Sequence, residues 1–327
     1  DRFSDLDPKI NKDWVKDYDK IRIYNPALPE VRERIGDIVK DIITKYAVDG
    51  IHIDDYFYPS PGSYTSLNDE EEYKKYGAGY ASIAAFRKGN IDKAVEKIYK
   101  VIVENKPEVV FSVSPTGNND YNVNSLYADA TKWCREGWVD ILIPQLYYAT
   151  GSTESSFNSR LNWWSLNTQK AVLMVGHGLY KFGDETAGSQ FQTTSELLQQ
   201  FKYTRANAKV QGGVMYSAKY YEENKLGIID VLKNQLYNNL SLIPFSGRKV
   251  APEPTKITNI ILNGSMIRWD VVGNVRTVIY KITDNKGAIV GITADKRFTL
   301  PEKGNYCLTV LNEDNVESDI SNIISYK

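Results

Sequence analysis

Val48-Asp49-Gly50-Ile51-His52-Ile53-Asp54-Asp55-Tyr56-Phe57-Tyr58-Pro59 is the stretch on which the fold turns. It is short, β-branched and apolar at its centre, and it ends in carboxylates and aromatic rings rather than in a turn. Along a strand, residues i and i+2 share a face, so His52 and Asp54 project to one side while Ile51 and Ile53 face the other. Asp54 then stands at the C-terminal rim. Just upstream, Val31, Ile35, Ile38, Ile42 and Ile43 recur at helical spacing behind Pro29, which suits a first helical turn because its missing N–H would have no partner there. A loop of about 25 residues with Pro59, Pro61, Gly62 and Gly77 follows, longer than compact domains keep without a functional reason.

The helix-then-strand unit repeats along the chain. A helix from Tyr80 to Glu104 precedes the strand Val109–Ser114, and one near Ser125–Glu136 precedes Val139–Tyr147. Helical sequence over Phe157–Leu166 leads to the strand Ala171–Val175, and Ser195–Ala208 leads to Gly213–Ser217. A helix near Ile228–Leu240 closes the series. Alternating strands and helices mean a parallel sheet, and near-continuous apolar strands fit burial on both faces, so the class is α/β. An open doubly wound sheet and a (β/α)8 barrel of the TIM type compete. No glycine fingerprint follows any strand, which leaves a dinucleotide fold without support. Polar residues at the ends of all five strands favour the barrel, although a closed barrel needs eight.

The segment Asp1–Asn25 reads as loop with at most one brief strand, Lys20–Tyr24, and it opens without the basic start and apolar run of a signal peptide. At the other end, 244–255 reads as a linker carrying Pro244, Gly247, Pro252 and Pro254. It divides a domain over 1–243 from short alternating runs over 256–327, punctuated by Asn263-Gly264, Asn285-Lys286-Gly287 and Lys303-Gly304-Asn305, which predict a small antiparallel sandwich. Trp269 and Tyr306 take the places where fibronectin type III-like modules bury their aromatic core; a sugar-binding platform is the alternative for these rings.

Composition excludes several functions. Forty Lys and Arg against 41 Asp and Glu give a net charge of −1, so no basic field holds nucleic acid or an anionic membrane. No window approaches about 18 uninterrupted apolar residues, so no transmembrane segment is expected. Two cysteines, Cys134 and Cys307, rule out a disulfide scaffold and a Cys-rich metal cluster. Tyrosine is abundant, 23 residues against 10 phenylalanines, and a ring with a polar tip suits surfaces that are half apolar and half wet, such as sugar clefts.

The Val48–Pro59 run resembles family ten of the glycosyl-hydrolase-like proteins, bacterial lipoproteins. Asn25-Pro26 with Pro29-Glu30-Val31-Arg32, Phe111-Ser112-Val113-Ser114-Pro115, Trp138–Tyr147 and Gly176-His177-Gly178-Leu179-Tyr180 are similar to that family's blocks in the same order, from Asn25 to about Leu240. The resemblance implies an alpha-amylase-type barrel in which the first motif lies on the fourth strand. Only the last five βα units would then be present, with three more units and a lipoprotein signal expected upstream of Asp1. A barrel so opened is expected to self-associate or to be completed by a missing N-terminal segment, with apolar side chains such as Ile143 and Val214 left uncovered, and to be inactive alone. The resemblance further implies a glycoside hydrolase of the cell envelope or a secreted one, acting on a polysaccharide, foremost bacterial cell-wall glycan.

Glycoside hydrolysis uses two carboxyl groups, one facing the oxocarbenium-like centre and one protonating the leaving oxygen. The resemblance places the nucleophile at Asp54, two residues after His52 where the enzymes of that type carry a basic side chain. Asp55, the second catalytic candidate, points the other way on a strand and would fix the loop or orient a neighbour. Loop capping by Asp49, Asp54 and Asp55 is the plain alternative. No glutamate ends the Val109–Ser114 strand, so the acid would come from the missing segment or from Asp120 or Asp184. Gln145 and Tyr147 share a face where an amide and a ring could bind a sugar, unless they merely plug the barrel core. His52, Tyr56, Ser114, Tyr180 and Tyr216, also at strand ends, complete the substrate-binding candidates, with Tyr58 and Tyr148 nearby. Trp163 and Trp164 are adjacent on a helix, where at least one should pack against the barrel. No metal and no cofactor is expected. A non-catalytic carbohydrate-binding protein is the first alternative. The second is a metal-dependent deacetylase built on His52, His177 and Asp54, whose strands lie far apart around a barrel.

Overall fold

The computed structural model of the 327-residue chain describes residues 11–18, 21–59, 68–242, 252–273, 275–312 and 315–327. The chain divides into two compact units, Asp1–Ile229 and Asp230–Lys327. Most of the stretch read as a linker, including Pro244 and Gly247, lies outside the described residues, as do Pro61 and Gly62.

The first unit is built on a five-stranded parallel sheet: β3 (Gly50–Ile53), β4 (Val110–Val113), β5 (Ile141–Leu142), β6 (Val172–Gly178) and β7 (Val210–Tyr216), in that spatial order. A doubly wound sheet reverses its strand order at a switch point. This one never does, so it is an arc of five successive barrel-type βα units. Parallel crossovers are right-handed almost without exception, which sends every covering helix to the same face. That face is apolar: Phe111, Val113, Leu142, Leu173 and Val175 are buried in one cluster with Val95, Ile98 and Ile102 of α3 (Ile83–Asn105), Trp133 of α5 (Ala130–Glu136) and Trp164 of α6 (Phe157–Asn167). Helix α1 (Pro29–Lys45) packs on α3. On the opposite face His52 and Val214 are exposed. Val214 thus stands as expected of an open arc, whereas Ile143 is buried.

Three local readings are corrected. The N-terminal segment holds an antiparallel hairpin, β1 (Val15–Tyr18) on β2 (Ile21–Tyr24), because the polar run Val15-Lys16-Asp17-Tyr18 pairs with the alternating one. The long loop after β3 contains α2 (Glu70–Tyr76), whose glutamates at the start and lysines at the end complement the helix dipole. The Val139–Tyr147 run is a strand only at Ile141–Leu142. Pro144 has no N–H to continue the ladder, and pairing resumes as an isolated bridge from Gln145 to Thr116 and Gly176.

In the second unit two antiparallel sheets form: β8 (Ile260–Asn263), β9 (Met266–Trp269) and β12 (Arg297–Thr299) in one, and β10 (Arg276–Thr283), β11 (Lys286–Thr293), β13 (Gly304–Leu311) and β14 (Ile324–Tyr326) in the other. Trp269 and Tyr306 are buried in a cluster with Ile267, Ile279, Leu300 and Leu308. Each keeps its polar tip satisfied: Trp269 Nε1 donates to Thr277 Oγ1 at 2.9 Å and the Tyr306 hydroxyl to Glu302 O at 2.6 Å. These rings serve the core and not a sugar platform.

Candidate active site

Asp54 follows the last residue of β3 and is held by its neighbours. Gln145 Nε2 donates to Asp54 Oδ1 at 2.7 Å and to Ser114 O at 3.0 Å, so one amide ties the carboxylate to the ends of β4 and β5. The Asp55 N–H donates to the same Oδ1 at 2.9 Å. Two residues back along the strand, His52 Nδ1 lies 2.8 Å from Ser112 Oγ on the adjacent strand. Burial holds the His52 imidazole below its usual range, against the opposing pull of Asp54, and so favours the neutral ring.

Strand geometry ends at Ile53, so the alternation does not fix where the Asp55 side chain goes; the residue is half-buried and its carboxyl is close enough to Asp54 for the two charges to interact. Burial, and then the charge of Asp54, push the Asp55 carboxyl up from the usual 3.8 to about 6. A carboxyl that holds its proton more tightly folded than unfolded lends stability below pH 3.8 that is lost as pH rises through 6. The urea midpoint of the wild-type chain is therefore expected to fall between pH 4 and pH 7 more steeply than that of Asp55→Asn; parallel profiles would show that the Asp55 carboxyl is not raised.

Three rings close the same rim. Tyr147 stacks on Tyr216 at 5.8 Å between centroids and 25° between planes, and Tyr180 meets both edge-on at 5.7 and 6.1 Å. Gly178 allows this approach, since a Cβ there would lie 3.0 Å from the Tyr180 ring and 3.2 Å from that of Tyr147. Tyr220, which no strand-end position in the sequence marks, joins the group at 6.3 Å from Tyr180. Burial and the nearby Asp54 charge raise the Tyr147 phenol above its usual range, so it stays a neutral donor. Tyr216 is 51% exposed and Tyr56, beside the two aspartates, 88% exposed. The site therefore offers a fixed carboxylate, a second carboxyl whose proton affinity is raised, an amide and a wall of tyrosine faces.

Other candidates fall away. Ser114 is buried and its hydroxyl donates to Ile143 O at 2.9 Å, so it joins strands and is not free for substrate. Asp184 caps a turn, accepting from the Thr186 N–H at 2.9 Å and the Thr186 hydroxyl at 2.7 Å; those bonds lower its acidity range and make it a poor proton donor. Asp120 lines a separate cavity. His177 sits on the helix face of β6, fully buried, stacked between Phe157 and Phe201, with Nδ1 2.9 Å from Gln200 Oε1. Burial pulls its pKa down to about 4. With His52 on the opposite face, the two-histidine site of the deacetylase alternative cannot assemble. Chelator treatment is expected to leave any hydrolytic activity unchanged, and a metal requirement lost with His177→Ala would contradict that placement. Gln200 and Glu196 of α7 (Ser195–Ala206) had no sequence signal but hold the loop behind Tyr147: Glu196 accepts from the Thr150 N–H and hydroxyl at 2.8 and 2.9 Å, and Gln200 Nε2 donates to Tyr148 O at 3.3 Å.

The sequence profile of the family Glycosyl hydrolase-like 10 matches residues 7–191. The chain belongs to this family. The chain is 29% identical over 278 residues to Glycosyl hydrolase YngK of Bacillus subtilis, covering 78% of this chain and 54% of that protein. It is 32% identical over 191 residues to Glycosyl hydrolase DigH of Escherichia coli K12, covering 53% of this chain and 43% of that one. The chain thus spans about half the length of the curated relatives it matches. Among solved structures, chitinase ChiA74 from Bacillus thuringiensis aligns with 92% of this chain and 62% of its own at a TM-score of 0.42 and 11% identity. Among the described residues no helix is long and apolar enough to cross a membrane.

Proposed function

We propose that this chain carries the carboxylate half of a glycoside hydrolase site, with Asp54 as the group that faces the developing oxocarbenium centre. The observation that carries the reading is the fixed Asp54 carboxylate, gripped by Gln145 at 2.7 Å on the strand rim beside the tyrosine wall, in a member of a glycosyl hydrolase-like family. Such a charge costs no reorganisation when the reaction needs it, which is where electrostatic catalysis gains most. Asp55 is adjacent to Asp54 in the chain and holds its Oδ1 through the backbone N–H at 2.9 Å. An acid and a nucleophile stand roughly 5–10 Å apart across the bond they break. Asp55 is therefore a positioning residue for Asp54, and the acid at the leaving oxygen is a different group. Tyr147, Tyr180 and Tyr216 would stack on sugar faces and donate to hydroxyls.

The substrate we propose is bacterial cell-wall glycan, as the family resemblance implies, and the cell envelope is where such a protein would meet it. The test is release of reducing ends by the full polypeptide from purified glycan strands stripped of peptides, set beside xylan and chitin. Turnover of the cell-wall glycan alone supports the substrate, whereas turnover of xylan or chitin in its place overturns it.

A further inference from the structure

A cavity of about 440 Å³ opens at Gly117, in the loop after β4. It is lined by Asn118, Asn119 and Asp120 from the loop after β4 and the start of α4 (Asn119–Asn124), by Glu154 from the loop after β5, and by Arg160 and Trp163 of α6. Helix α6 divides its faces cleanly: Phe157, Leu161 and Trp164 go into the core, while Ser159, Arg160 and Trp163, three and four residues apart, face the cavity. Trp163 is 38% exposed, its ring set at 90° to the buried Trp164. Gly117 is needed for this arrangement, because a Cβ there would come within 2.6 Å of Gln145 O and 2.8 Å of the Tyr148 ring.

The polar groups of the wall are fixed and incompletely used. The Arg160 guanidinium lies 4.4 Å from the Tyr148 ring centroid, and its Nη1 donates to Gly117 O at 3.3 Å. Arg160 Nε and Asn119 Oδ1 are both buried without a hydrogen-bond partner in the protein, one a donor and one an acceptor. Both atoms lie shielded just behind the cavity surface, so a ligand pairs with them only after a small shift of the Arg160 and Asn119 side chains; leaving them unpaired costs stability, and a ligand bringing both a donor and an acceptor offsets that cost. Hydroxyl groups are both. Two carboxylates, Asp120 and Glu154, face one guanidinium, so an anionic ligand is repelled. A ring for stacking, amides and carboxylates for hydroxyls, and no net welcome for anions describe a pyranose site.

We propose that this cavity is a second saccharide-binding subsite, taking a neutral pyranose unit through Trp163, Arg160 and Asn119. It rests on the carbohydrate reading of the chain but not on hydrolysis. The test is titration of the Asp54→Asn protein with tetra-N-acetylchitotetraose and with tetragalacturonate, followed by tryptophan fluorescence and by calorimetry. The neutral oligomer is expected to perturb the fluorescence and bind more tightly than the anionic one. Trp163→Ala is expected to weaken the calorimetric Kd about tenfold. Asn119→Ala, which keeps the fluorophore, is expected to do the same, with circular dichroism confirming that each variant is folded. Tighter binding of the uronate, or an unchanged Kd in both folded variants, overturns the subsite. Absence of turnover in the full polypeptide with binding still lost in Trp163→Ala would sink the hydrolase reading and keep this one; turnover by the full polypeptide with no effect of either variant would do the reverse.

Discussion

Asp54→Asn is expected to lower kcat on glycan by roughly 10⁴-fold, about 5.4 kcal/mol of transition-state stabilisation at 1.36 kcal/mol per decade. The substitution keeps the shape of the site. Its amide oxygen still accepts from Gln145 Nε2 and from the Asp55 N–H, so the rim stays in register and ligand affinity should change little. What is lost is negative charge facing a centre that becomes positive only in the transition state, so the loss should fall on kcat and not on KM. A second consequence follows from the same geometry. With Asp54 uncharged, its charge no longer adds to burial in raising the Asp55 carboxyl, and the pH at which Asp55 titrates should move down from about 6 toward the ordinary carboxylate range. Turnover near the wild-type level would remove Asp54 from the chemistry, whatever the titration shows.

The strand rules made part of this site legible. Alternation placed His52 and Asp54 on one face and Ile51 and Ile53 on the other, and the structure has His52 exposed with Ile51 and Ile53 packed against the core. The same rule, counted from Leu173 and Val175, puts His177 on the helix side, so its burial was readable although its position near a strand end drew attention to it instead. Asp55 could not be read this way, because period-two reasoning holds only while the strand lasts and β3 stops at Ile53. The tyrosine wall was only half legible. Residue type and strand-end position singled out Tyr147, Tyr180 and Tyr216, but the stacking depends on Gly178 and on where Tyr220 returns after β7, which no local pattern encodes. The grip of Gln145 on Asp54 spans 91 residues and is a product of strand order, invisible until the sheet is assembled. Pro144 did carry a signal in the sequence, a missing N–H inside an apolar run, and it correctly argues against one long strand.

Arg87→Ala is expected to cost about 3–5 kcal/mol, because it strands a buried carboxylate. Asp69, 0% exposed, lies just ahead of α2 and receives Arg87 Nε at 3.1 and 3.0 Å and Nη2 at 2.5 Å. Arg87 Nη1 also donates to the Tyr127 hydroxyl at 3.0 Å, and the guanidinium lies 5.2 Å from the Tyr127 ring centroid. Tyr58, four residues beyond Asp54, packs edge-on against Tyr127 at 5.2 Å and places its hydroxyl 3.5 Å from Asp69 Oδ2. One ion pair therefore ties the segment leaving β3 to α3 and to the loop before α5. These bonds raise the guanidinium above its usual range, so Arg87 is charged at every pH of interest. A buried pair of this kind stabilises little relative to an apolar replacement, yet is costly to break from one side. The double variant Asp69→Leu with Arg87→Leu should for that reason be more stable in urea than Arg87→Ala alone, despite removing more bonds. If Arg87→Ala lies within about 1 kcal/mol of wild type, the pair is not the clamp on this segment, and the position of Asp54 must be set by Gln145 and the strand alone.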